Sequence, residues 1–152
     1  MKHRQKSILF AVLTILWTGV IFSFSLQPAQ ASANLSGGLL QVLLSWIHRF
    51  TSLQIPVSLA HHLIRKTAHF LEFFLLGTLA YKTSGLFWKK WLPALIYGIL
   101  IAVTDETIQY FTGSGRAMRV SDMLLDTAGV ATAILVMWYF GKLCTRRKHK
   151  NT

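Results

Sequence analysis

The chain alternates between long apolar runs and short polar breaks. Ile8 to Leu26 is nineteen residues without a charge, long enough to cross a bilayer core as a helix rising about 1.5 Å per residue. Leu92 to Thr104 is also uncharged, and its apolar pattern continues through Asp105 and Glu106 to Phe111. Met123 to Gly141 carries one charge, Asp126. Leu63 to Tyr81 is the most interrupted, although Phe73 to Tyr81 is wholly apolar or small. A soluble bundle would need a polar stripe along each helix, and none is evident here. The pattern predicts an all-α, polytopic membrane protein with four transmembrane helices. Length and the lack of internal repeats predict one domain, residues 1–152, ending in a basic tail at 142–152.

Charge refines this reading. Only 14% of residues are charged, against about a quarter in a soluble chain. Basic residues in short loops stay in the cytoplasm. Of the 16 Lys and Arg residues, 11 lie before the first run, between the second and third, or after the fourth. The other five, Arg49, Arg65, Lys66, Arg116 and Arg119, fall on the opposite side. This alternation predicts that both termini are cytoplasmic. The net charge of +11 is then a cytoplasmic excess that meets anionic lipid headgroups, so no nucleic-acid partner is needed to explain it.

The first connection, from Gln27 to Ala60, opens on the turn-rich "QPAQASANLSGG". Within "LLQVLLSWIHRF", Gln41, Ser45, His48 and Ser52 recur at helical spacing, which predicts an amphipathic helix lying in the outer interface. Pro56 and Ser58 suit the start of the second span. Ala29-Gln30-Ala31 resembles a signal cleavage site, but the preceding apolar run exceeds the 7–15 residues of a signal core. An uncleaved first helix is expected. Gly77, Gly98 with Ala102, and Gly129 with Ala133 offer close helix approaches, which also leaves room for a homo-oligomer. The lone Cys144 excludes an internal disulfide.

The acids are few and clustered. Four of the five carboxylates fall between Thr104 and Asp126, and the fifth is Glu72. Arg65, His69 and Glu72 share a helix face at i, i+4 and i+7; Asp105 and Gln109 are four apart, as are Asp122 and Asp126. The orientation above places all of them in the outer halves of their helices. Glu72 lies ten residues before Lys82, about 15 Å along the helix and near the membrane midplane. The expected shape is an outward polar funnel with Glu72 as floor and Arg65, Arg116, Arg119 and Asp122 at its rim. A charge at the bilayer centre costs roughly 2.5–3.5 kcal/mol even on the lenient scale, so such groups must face one another or a wet cavity. Interhelical glue is one reading. Convergence of so many polar groups favours function, with Glu72, Asp105, Glu106 and His69 as candidates for acid–base work. The same acids and histidine could take a divalent cation. Arg65, Lys66, Gln109, Arg116, Arg119, Asp122 and Asp126 are candidates for binding a headgroup.

"IRKTAHFLEFFLLGTL", "DETIQYF", "GSGR" and "VSDMLLDTAG" resemble, in order and separation, the motifs of the VanZ-like family over about residues 10–140, and "FSLQP" after the first helix fits as well. The resemblance implies a small bacterial inner-membrane protein from a family whose founding member is linked to teicoplanin resistance. It maps the family's motif positions onto Arg65, Lys66, His69, Glu72, Asp105, Glu106, Gln109, Arg116 and Asp122. Asp126 stands where the family has Asn or Asp, and Ile108 replaces a His found in many members. The expected partners are membrane lipids and a lipid-linked or glycopeptide-like ligand. The competing expectations are a membrane enzyme acting on a lipid or cell-wall precursor headgroup, and a proton-coupled transporter or scaffold.

Overall fold

A computed structural model describes residues 2–27, 37–38, 45, 56–84, 90–112 and 118–150, and among these the side chains between residues 5 and 143. Within them are four long helices and no strands: α1 (Lys2–Ser25), α2 (Val57–Thr83), α3 (Trp91–Phe111) and α4 (Val120–Lys150). The all-α expectation holds, and the basic tail continues the backbone of α4. The amphipathic helix expected in "LLQVLLSWIHRF" lies almost wholly outside the described residues.

Local chemistry sets the helix ends. Pro56, extended at φ −56° and ψ 131°, stops the chain from winding earlier, and its carbonyl accepts the Ala60 amide at 3.0 Å. At the other end of α2, the Ser84 hydroxyl donates to the Ala80 carbonyl at 2.9 Å. Pro93 sits in the first turn of α3, where an amide has no helical partner to lose. That helix closes at Thr112, whose amide donates to Ile108 at 3.0 Å.

Three stretches are long and apolar enough to cross a membrane: Gln5–Ser25, Trp91–Phe111 and Val120–Leu143. Only 22%, 28% and 28% of them, respectively, is buried within the protein. Ile15 is 68% exposed, Leu124 65% and Leu135 64%. Apolar surface on this scale needs lipid around it, so this is a membrane protein. Three of the four expected spans meet the criterion by length and composition. The second helix, at 27 residues, is long enough but carries Arg65, Lys66, Glu72, Lys82 and three histidines.

Glycines draw the bundle together. A methyl group on Gly77 would lie 2.9 Å from the Val130 backbone, and one on Gly129 would lie 2.6 Å from the Phe70 carbonyl. One on Gly98 would meet the Val130 side chain at 2.6 Å. Thus α2 and α3 both press on α4, as the sequence led us to expect of these residues. Phe73, Leu76, Ala102, Val130 and Ile21 fill the core around these contacts. One turn from Gly129, the same packing carries Asp126 inward.

The buried face of α1 departs from expectation. Ser7, Thr14, Thr18 and Ser25 are buried beside Ile21, so the helix does have a polar stripe, turned inward. Thr18 shares a hydrogen bond with the Tyr97 hydroxyl at 2.8 Å, and Thr14 shares one with Thr83 at 3.0 Å. The Trp17 indole donates to the Glu72 carbonyl at 3.0 Å.

Candidate functional site

The site forms where one end of each helix meets the others. Helical spacing puts Asp105 and Gln109 on one face of α3, and the Gln109 amide donates to Asp105 Oδ2 at 2.8 Å. Asp105 Oδ1 accepts a hydrogen bond from the Ser25 hydroxyl at the end of α1. Asp105 is fully buried, and Glu106, Gln109 and Asp126 are each no more than 2% exposed. These side chains form a buried cluster beneath a partly exposed rim.

Glu106 has a structural task. Its Oε2 accepts the backbone amide of Arg119 at 3.0 Å, tying α3 to the entry of α4. The Arg119 carbonyl accepts the Asp122 amide at 2.9 Å, which begins the helix. Asp122 lies in that first turn, where a carboxylate faces the positive end of the helix dipole. It pairs with Lys66 of α2 at 2.5 Å and lies within Coulombic range of Arg65. Arg65, Lys66, Arg119 and Asp122 thus lie at the same end of the bundle. Arg116 lies outside the described residues.

His69 and Asp126 complete the site. His69 Nδ1 lies 3.9 Å from Asp126 Oδ1, with the imidazole 22% exposed and the carboxylate 1% exposed. Ligand atoms of His69, Asp105 and Asp126 all fall within 4.8 Å of one another. Neither oxygen of Asp126 has a hydrogen-bond partner among the described residues. Asp126 interacts electrostatically with Asp105, Glu106, Asp122 and Glu72, which are all the other carboxylates in the chain. Glu72 is half-buried and close enough to Asp105 for charge coupling. Glu72, distant in sequence from the other four acids, therefore shares their neighbourhood.

Of the candidate residues, His69, Glu72, Asp105, Glu106, Gln109 and Asp126 come together, with Arg65, Lys66, Arg119 and Asp122 beside them. Ser25 was the residue missed. Its signal was present in the spacing of Ser7, Thr14, Thr18 and Ser25, which falls on one helical face.

The architecture is that of an α-helical membrane protein with a buried acid–histidine cluster at one end. The model of the VanZ/LLP1 family matches residues 10–141, which includes every residue of this cluster, and the chain belongs to that family. No curated protein and no solved structure matches it.

Proposed function

We propose that this protein sits in the bacterial cytoplasmic membrane, where its site holds the polar headgroup of a lipid-linked or cell-wall-related ligand and contributes to glycopeptide resistance of the teicoplanin type. In this reading α2 is a fourth span, with Arg65, Lys66 and Glu72 at the site and Lys82 at its other end. Both termini are cytoplasmic, and the buried acid cluster lies in the outer half of the bundle beneath its rim.

The observation that carries the reading is the union of a buried cluster, Asp105, Glu106, Gln109 and Asp126, with a basic rim of Arg65, Lys66 and Arg119. Cations at the rim suit a phosphate or carboxylate, while the inner acids and Gln109 suit hydroxyl and amide donors. Buried polar groups at membrane depth are costly, which favours a use beyond holding helices together.

The test is a deletion strain of the host bacterium complemented with wild type, Arg65→Ala or Asp105→Asn, each checked for equal membrane abundance. Wild type should restore teicoplanin tolerance and both variants should fail to do so. Full restoration by both variants would remove this reading.

A second reading is enzymatic, and the environment of Asp126 favours it. A buried carboxylate without a hydrogen bond, beside an imidazole, is available for proton transfer or cation binding. Lipid extracts of the deletion strain should then accumulate an unprocessed precursor. A pure binding role would leave precursor composition unchanged.

A further inference from the structure

We infer that His69, Asp105 and Asp126 form a binding site for a transition-series divalent cation, built from three helices. The inference deepens the enzymatic reading of the same site and rests on it for biological purpose, though not for its test.

The first argument is the donor set. One imidazole nitrogen and two carboxylates suit zinc, manganese, iron or cobalt better than calcium or magnesium, which favour oxygen-only shells. Three protein ligands also leave a position open for water or substrate.

Geometry agrees with chemistry. Bonds of about 2.0–2.2 Å hold ligand atoms roughly 3–3.6 Å apart around a metal ion. The three donors already lie within 4.8 Å of one another, so a contraction of about 1 Å would close the shell. His69 is the partly exposed member and can move with its rotamer. The carboxylate of Asp105 is already oriented, by Ser25 on one oxygen and Gln109 on the other. Such outer partners are a regular part of metal sites.

The independent observation is Asp126. It is 99% removed from solvent in terms of its 1% exposure, yet both its oxygens lack a hydrogen bond among the described residues. A carboxylate buried in that way normally has a partner. A proton on Asp126 would still need an acceptor for its O–H. A charged imidazole would be expected at hydrogen-bond distance, and His69 Nδ1 stands at 3.9 Å, too long for one. A cation beside His69 satisfies Asp126 and offsets the surrounding negative charge.

The experiment uses the full chain in detergent, purified on a histidine-free tag and stripped with chelator. It is dialysed separately against Zn2+, Mn2+ and Co2+, and bound metal is counted by mass spectrometry. Wild type should retain one ion per chain for at least one of the three metals. Asp126→Asn and His69→Ala should lose it, while His62→Ala, at an exposed position on the same helix, should keep it. Gln109→Ala should bind roughly 10–100-fold more weakly, which serves if Asp126→Asn does not fold. No stoichiometric uptake by wild type, or equal affinity in Gln109→Ala, would overturn the site. Stoichiometric uptake in a protein that fails the resistance and lipid tests would retain the metal site and reject the functional reading. Normal resistance without uptake would do the reverse.

Discussion

Ser25 shows how a single hydroxyl can decide the state of a buried acid. It is 3% exposed and donates to Asp105, the most enclosed carboxylate of the site. Ser25→Ala removes that donor without adding volume, so Asp105 keeps its burial and loses part of its solvation. The cost should be about 1–3 kcal/mol, the usual penalty for an unsatisfied buried polar group. Ser23 gives the control, because its hydroxyl donates to the Val20 carbonyl of its own helix at an exposed position. Ser23→Ala should leave the thermal unfolding midpoint in detergent unchanged, while Ser25→Ala lowers it. Equal midpoints would show that Asp105 does not depend on this bond. The contrast also explains which residues the sequence revealed. Acids and histidines inside apolar runs stand out because their burial is expensive. A helical serine does not, since its single proton can go to the preceding turn instead; the Ile21 carbonyl lies 3.2 Å from the Ser25 hydroxyl.

At the scale of helices, small residues fix where the site can form. The α2–α4 contact depends on Gly77 and Gly129, and the neighbour of Gly129 is backbone, the Phe70 carbonyl. A side chain can turn away from an added methyl group, but that carbonyl cannot without moving α2. Gly129→Ala should therefore destabilise the bundle by roughly 1–3 kcal/mol, as overpacking commonly does, and separate Asp126 from His69. Gly19, with nothing within 4 Å, makes the comparison. Gly19→Ala should be neutral or stabilising by up to about 1 kcal/mol through helix propensity. Denaturant or thermal unfolding in one detergent would check both, and a harmless Gly129→Ala would show that α2 and α4 have freedom to separate. The boundaries of these helices were largely legible from apolar runs and from Pro56. The second helix was harder to read because Arg65, Lys66 and Glu72 belong to the site, and they break the apolar run that identifies a span. Its role becomes clear only when Phe73, Leu76 and Gly77 are seen buried against α4.

For the whole molecule, the governing feature is an inverted distribution of polarity. Hydroxyls, carboxylates and an amide lie inside, while Ile15, Leu16, Leu124 and Leu135 face outward. That arrangement fits a lipid surround and leaves one question of direction, which charge in the loops predicts and the helices alone do not. The third helix provides the test, because Lys90 and Thr112 flank its 21 residues, a length of about 30 Å. Both positions are exposed. In a Cys144→Ser background, Thr112→Cys should react with an impermeant thiol reagent added to intact cells, and Lys90→Cys should react only after the membrane is broken. This pattern puts Asp105, Glu106 and Gln109, which lie toward the Thr112 end, in the outer half of the membrane. The reverse pattern would place the acid cluster near the cytoplasm. A lipid-linked precursor is presented to wall synthesis and to glycopeptides at the outer leaflet, so the reversed protein could not meet its proposed ligand there. The direction of one helix therefore decides whether this buried site can serve the cell envelope.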